Sequence, residues 1–395
     1  RYDEAWVEVH RRLAELQAAP CIDAVALAET LGCEAAIWRG RGELAKAEAA
    51  LRRALQVHPL PGLQGHLGEL LALQGRYAEA REPMLELEEP KARLGDAVGQ
   101  WLQAGTRAWR GPLADIVGQH LVVEADNGAG DTFQFGRFLP GLVRRGVTVT
   151  LRVPPGQVGL MRQLKGDDPR CSVQVVPIHA GAAASPPHPD AMVHLEPLPW
   201  ALGVTLETLD GWGPAHYLRA DDGRMLSVRD RWDLGAHDGR LKIGLAWLGQ
   251  ATGGGVRRTE LATVTQIWEA AGLLPHLRLF ALPIEPLTDE EAAIAERLGM
   301  VVPRWSFEDE AAALTQLDLV VTVDTSHAHL AGSLGVPCWV LLNHTPDWRW
   351  GAEGSTTPWY PTLRLFRQTQ AGQWAGPLAA VAQALREWLG MARTD

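Results

Sequence analysis

Short β-branched apolar runs alternate with helix-patterned segments along residues 121–342, and the alternation occurs twice. In the first series the runs 121–125, 147–153, 171–176 and 192–194 read as strands, with helices over 131–145 and 160–164. In the second, strands fall at 242–248, 277–282, 317–323 and 336–342, with helices over 260–271, 290–298 and 326–334. An amphipathic helix over 377–389 closes the chain. Strands that come one at a time with helices between them need crossover connections, which means parallel pairing. Two such units in tandem imply two facing sheets with a cleft between them. Ligands of these sheets sit in loops at the carboxyl ends of the strands. The polar, Asp- and Gly-rich stretch 221–239 is the expected boundary between the two units, and 177–189 reads as a surface loop.

The first hundred residues carry a different signal. Gly42-Glu43-Leu44-Ala45-Lys46-Ala47 recurs as Gly75-Arg76-Tyr77-Ala78-Glu79-Ala80, 33 residues later. Each copy opens a helix, with Ala47, Leu51, Ala54 and Leu55 on one face of the first, and His58-Pro59-Leu60-Pro61-Gly62 breaks the chain before the next. This echo resembles the tetratricopeptide (TPR) repeat, usually 34 residues long. Helix hairpins of that kind stack because neither buries its apolar face alone. Arg1–Ala5 resembles the same second-helix opening, so further repeats are expected upstream, and 89–103 reads as an irregular capping pair. The expected organisation is α plus α/β: TPR-like repeats over 1–108, Rossmann-like units over 109–235 and 236–375, and a last helix, 376–395, crossing back.

A net charge of -10 over 395 residues leaves no electrostatic footprint for wrapping nucleic acid. No apolar run reaches eighteen residues, so no membrane span is expected. Cys21, Cys33, Cys171 and Cys338 form no metal-type pair, and a disulfide framework does not suit a chain of this size. Cys21 and Cys33 read as helix-packing residues in a reducing compartment, and a cytoplasmic location is the expectation.

Three loops carry candidate chemistry. Asn127-Gly128-Ala129-Gly130-Asp131-Thr132 lies where a strand gives way to a helix. Asp131 is either the cap of that helix or a general base facing the cleft, since attack by a hydroxyl needs a proton acceptor beside the reacting carbon. Val323-Asp324-Thr325-Ser326-His327-Ala328-His329 repeats the strand-to-helix setting. Amides at the helix start, with the Thr325 and Ser326 hydroxyls, can cradle a diphosphate, and Asp324 can hold a sugar hydroxyl or orient a histidine. The competing reading has Asp324 and Ser326 merely capping. His327 and His329 stand two apart and cannot share a helix face, so at most one of them points at a ligand, and His329 is favoured. Trp247-Leu248-Gly249-Gln250, followed by a Gly-rich run ending in Arg257 and Arg258, suits phosphate oxygens, with Arg258 adjoining the next helix. Among sixteen Trp, Trp268 and Trp388 read as core. The long aromatic connection Pro346–Pro361 either stacks on a base or sugar or clamps the C-terminal helix.

Taken in order, several segments resemble one family. They are Gly130-Asp131-Thr132 with Gln134-Phe135 and Leu139-Pro140; Gly244-Leu245-Ala246-Trp247; Asp324-Thr325 with His329-Leu330-Ala331-Gly332 and Leu334-Gly335; and Pro346-Asp347-Trp348-Arg349-Trp350. Pro358-Trp359-Tyr360-Pro361, Leu365-Phe366-Arg367-Gln368 and Trp374 continue the series. The set resembles the heptosyltransferase-like glycosyltransferases of family 9, especially bacterial TPR-fused members. That resemblance implies a GT-B architecture and an inverting transfer that requires no metal or other cofactor. The donor is a nucleotide diphosphate sugar, ADP-heptose in the family's classical members. Asp131 looks like the family's base; Trp247, Arg258, Asp324, Thr325, Ser326 and His329 look like donor contacts. The acceptor is a protein or glycan hydroxyl presented by the repeats, which can alternatively serve as a dimerisation surface. One departure stands out: relatives carry a His-Asn-Asp-Arg-like polar stretch where this chain has Ala251-Thr252-Gly253-Gly254-Gly255-Val256. The alternative is a degenerate transferase that acts as a scaffold through its repeats.

Overall fold

The computed structural model describes residues 2–19, 21, 23–86, 101–102, 104–125, 128–164, 173–178, 188–235, 238–249 and 258–391. Its first part is an array of helices: α1 (Tyr2–Ala18), α2 (Ala24–Gly40), α3 (Leu44–Val57), α4 (Pro61–Leu73) and α5 (Tyr77–Glu86). Asp23 caps α2 by accepting from the Ala26 amide, and Pro61 opens α4 at the position where its missing N–H costs nothing. The two copies of the 33-residue echo start α3 and α5. On α3, Ala47, Ala50, Leu51 and Ala54 are buried between neighbouring helices. The expected capping pair, 89–103, falls almost entirely outside the described residues. Cys21 and Cys33 are exposed rather than packed between helices.

The first sheet contains β1 (Arg107–Ala108), β2 (His120–Glu124), β3 (Thr148–Val153), β4 (Gln174–Pro177) and β5 (Ala191–His194), in the order β1-β5-β2-β3-β4. All neighbours are parallel. The helix expected over 131–145 is two helices, α6 (Ala129–Phe135) and α7 (Phe138–Arg144), broken at Gly136 and Arg137. A Cβ at Gly136 would stand 2.8 Å from the Met161 methyl. Short helices α8 (Val158–Met161) and α9 (Leu198–Ala201) follow β3 and β5. The stretch read as a polar boundary contains a helix, α10 (Asp222–Arg231), capped by Asp221 and ending in Arg229 and Arg231, which suit the helix dipole.

The second sheet is also parallel, β10-β9-β8-β6-β7. Its elements are β6 (Leu241–Ala246), α11 (Leu261–Ala270), β7 (Leu277–Ala281), α12 (Asp289–Arg297), α13 (Phe307–Leu314), β8 (Leu319–Val323), α14 (Ser326–Leu334), β9 (Cys338–Leu342), β10 (Leu363–Arg367) and α15 (Ala375–Trp388). The edge strand β10 is absent from the sequence reading, although Leu363, Leu365 and Phe366 are buried as a strand requires. The last helix packs on the second sheet itself, and Arg386 donates to the Ala271 carbonyl at 2.6 Å. Trp388 at its end is exposed, not core, and lies against Trp339.

Burial explains how the parts are joined. Side chains of β8 alternate: Leu319, Val321 and Val323 enter a core beneath α11, α12 and α15, whereas Val320 faces the other way. That other face belongs to one continuous apolar core that runs from the helical array through the first sheet to the second. Its centre is aromatic. Tyr77 of the array, Phe135, Phe138 and Trp200 of the first unit, and Trp348 and Trp359 of the second are all buried there. Trp200 and Trp348 are 5.2 Å apart, Tyr77 and Trp200 5.4 Å, and Trp359 donates its indole N–H to the Tyr77 hydroxyl at 3.3 Å. The connection Pro346–Pro361 therefore does not clamp the C-terminal helix; it crosses back and fills this hub. Among the described residues no helix is long and apolar enough to cross a membrane.

Candidate functional site

Each sheet reverses its winding once. The chain leaves β2 for β3 and β4 on one side, then returns to β5 on the other; likewise it leaves β6 for β7, then returns to β8. Loops after the strands at these switch points form the crevice in which open α/β sheets hold ligands. After β2 comes α6 with Asp131. After β5 comes Glu196, two residues beyond the strand end. Trp247 follows β6, and Asp324 with Thr325 follows β8.

The two crevices meet through α6 and α14. A Cβ on Gly130 would lie 3.0 Å from the His329 ring and 3.5 Å from the Ser326 Cα, so glycine is what lets the helices approach. Gly130, the residue before Asp131, thereby meets Ser326 and His329. Asp131 is not a cap: Gly128 occupies that position, and Asp131 is the third residue of α6. Its carboxylate accepts from Arg349 at 2.5 Å. The cap of α14 is Thr325, whose hydroxyl accepts from the His327 amide, so neither Asp324 nor Ser326 serves as the cap. Asp324 is buried at the end of β8.

The two histidines diverge as their spacing requires. His329 is paired through Nδ1 with the Tyr360 hydroxyl at 3.1 Å and stacks on Trp350 with ring centres 5.0 Å apart. Burial, then the neighbouring Tyr217, pushes the Tyr360 phenol well above its ordinary range. His327 turns into the interior. Its Nδ1 lies 3.0 Å from the Thr325 hydroxyl and its Nε2 lies 3.4 Å from Glu310 of α13. Burial pushes Glu310 up to about 8 and His327 down to about 4, so near neutral pH the two face each other uncharged at 3.4 Å. Thr322 continues the chain, 2.8 Å from Thr325, and donates to the Val323 carbonyl.

Trp247 and Arg258 lie on the β6 side of the second crevice. The Trp247 ring is buried, and its N–H is taken by Glu291 at 2.6 Å. Arg258 is exposed, its backbone bridged to Leu248, while the Gly-rich run before it and Arg257 lie outside the described residues. Beyond β7 a cavity of about 660 Å³ opens, walled by Pro283, Ile284, Met300, Arg304 and Trp305.

Sequence reasoning missed Arg349, Glu196, Tyr360 and Glu310. Arg349 is the most consequential. It is buried, with Nη1 at 2.9 Å from Asp347 and Nη2 at 2.5 Å from Asp131 and 3.5 Å from Glu196. Its guanidinium lies over Phe135 and Trp348. Burial opposes its charge, yet Asp347, Asp131 and Glu196 outweigh that and hold its pKa well above the ordinary value. An available signal was the Asp347-Trp348-Arg349 order within an aromatic loop, which places a charge among apolar neighbours. Among the described residues no three His, Cys, Asp or Glu side chains cluster as a metal site.

No protein-family model matches the chain. It is 27% identical over 368 residues to Protein FlbA of Caulobacter vibrioides, across 87% of this chain and 58% of that protein, so it spans less than two thirds of that relative. Among solved structures it is similar to the glycosyl transferase family 9 protein from Veillonella parvula (13% identity, 69% of this chain, 97% of that one, TM-score 0.48). It is also similar to the E. coli ADP-heptose lps heptosyltransferase II (11%, 69% and 99%, TM-score 0.44). A Thermobaculum terrenum O-GlcNAc transferase aligns over 99% of this chain and 94% of its own at 15% identity, with a TM-score of 0.27. At these scores none of the three fixes the fold; strand order and register do that.

Proposed function

We propose that the chain is an inverting, metal-independent glycosyltransferase of GT-B type that moves a sugar from a nucleotide diphosphate sugar to a protein or glycan hydroxyl. The observation that carries the reading is the meeting of the two switch-point crevices, with the Asp131 carboxylate a helix contact away from the start of α14. In this reading the acceptor hydroxyl gives its proton to Asp131 while its oxygen bonds to the anomeric carbon. The bond from that carbon to the diphosphate breaks, and the leaving group takes the electron pair. Amides at the start of α14 and the site around Asp324 and His329 hold the diphosphate and sugar. Arg258 and the backbone beside Trp247 close over the phosphates. The cavity beside Trp305 takes the base, since an apolar wall with one indole suits a flat heterocycle. The helical array, TPR-like in its 33-residue spacing, presents the acceptor.

The test is calorimetric titration of the full chain with nucleoside diphosphates and their sugars, ADP-heptose included, for the wild type and Asp131→Asn. The variant is expected to keep donor binding and lose transfer. Retained transfer would remove Asp131 from the role of base. A second reading, a scaffold built on a degenerate transferase, draws support from the run 251–256, which lacks the polar side chains that the resemblance leads one to expect there. Absence of binding across the panel would favour that reading, and one base-selective binder would count against it.

A further inference from the structure

Three carboxylates surround one buried guanidinium. Asp347 fixes Arg349 from its own turn, accepting from both the Arg349 amide at 3.1 Å and Nη1 at 2.9 Å. The other amino group, Nη2, has two acceptors on the opposite unit: Asp131 at 2.5 Å and Glu196 at 3.5 Å. The first is a full charge-assisted hydrogen bond; the second falls outside hydrogen-bond range. The aromatic rings of Phe135 and Trp348 confine the head group, at 5.2 and 4.7 Å. Closing the 3.5 Å gap to Glu196 into hydrogen-bond range takes a movement of only about half an ångström.

We propose that Arg349 is a positioning residue that passes Nη2 from Asp131 to Glu196 when Asp131 becomes protonated. The proposal rests on Asp131 being the base. Protonating a carboxylate that holds a buried cation leaves that cation short of a partner. Glu196 removes the difficulty. As the acceptor's O–H bond breaks and its proton settles on Asp131, the negative charge that Arg349 loses there is replaced by Glu196. When Asp131 returns the proton to solvent, Nη2 returns to it. No net charge moves into or out of the cluster except that proton.

The exchange can be tested without knowing the sugar. Asp131→Asn keeps the shape of the protonated acid, and a crystal structure of this variant of the full chain is expected to show Nη2 within about 3 Å of Glu196. Nη2 remaining on the introduced amide, with Glu196 no nearer than in the wild type, overturns the proposal. A double-mutant cycle in Tm supplies the second readout. Glu196→Gln should cost at least about twice as much in the Asp131→Asn background as in the wild type, because there Nη2 has lost its other carboxylate. Equal losses would mean that Glu196 is ordinary packing and the exchange does not occur. Both variants are amide-for-acid replacements at partly exposed positions, so folding is preserved. Failure of the parent reading looks different: Asp131→Asn would then turn over donor as the wild type does, whatever the crystal structure shows.

Discussion

The buried pair Glu310–His327 leads to a sharp prediction about stability and pH. In the unfolded chain the two groups titrate near 4.5 and 6.5; in the fold they sit near 8 and 4. Glu310 is raised, so its contribution to stability is complete below pH 4.5 and is lost as pH climbs towards 8. His327 is lowered, so its contribution is complete above pH 6.5 and is lost as pH falls towards 4. Between 4.5 and 6.5 folded and unfolded chains each bind one proton on this pair, and the two slopes cancel. From 6.5 to 8 only the folded chain keeps a proton, on Glu310, and each pH unit costs about 1.4 kcal/mol. The pair therefore removes about 2 kcal/mol across that window.

Glu310→Gln isolates the effect. The amide keeps the size and polarity of the protonated acid, but it does not titrate. Urea unfolding followed at several pH values should show the wild type losing about 2 kcal/mol more than the variant between pH 6.5 and 8. Parallel curves across the whole window would refute the burial argument, because Glu310 would then already be ionised in the fold at the start of it.

Other perturbations test the site and the hub. Gly130→Ala places a methyl 3.0 Å from the His329 ring, and the resulting overpacking should cost about 1–3 kcal/mol while weakening donor binding in calorimetry. Trp348→Ala removes a ring shared by all three parts of the chain; a loss of about 3–5 kcal/mol in unfolding is expected, with new proteolytic cleavage in the helical array. Arg258→Ala, at an exposed position, should leave Tm unchanged and weaken nucleotide-sugar binding; unchanged binding would remove Arg258 from the donor site.

The architecture was legible because its signals are local. β-branched runs such as Thr148–Val153 and the 33-residue echo can be read from one stretch of chain, and parallel pairing follows from the crossovers alone. What was not legible came from distance. Arg349 and Asp131 are 218 positions apart, and Glu310 finds His327 only because α13 lies along α14. Sequence spacing correctly separated His327 from His329, since residues two apart on a helix diverge, but it offered no means of knowing that the inward one would meet a carboxyl. The helix break had a local cause instead: Pro140 has no N–H to give the Gly136 carbonyl four residues back, so the helix restarts at Phe138.

Among the described residues the helical array reaches the candidate site through packing, without supplying a side chain to it. Arg349 projects from a turn whose two flanking tryptophans are buried: Trp348 against Tyr77 of the array, and Trp350 against His329 of α14. The same connection is tied to the array through its backbone, with the Ala352 amide on the Leu73 carbonyl at 2.9 Å and the Thr345 hydroxyl on the Arg39 carbonyl at 2.8 Å. Since close-packed interiors transmit displacement instead of absorbing it, any shift of α4 or α5 is carried into the turn that holds Arg349. The contact between Arg349 and Asp131 is a charged hydrogen bond whose strength falls steeply with distance and angle. A displacement of the array thus has a mechanical route, through the packed turn around Trp348, to the carboxylate proposed as base.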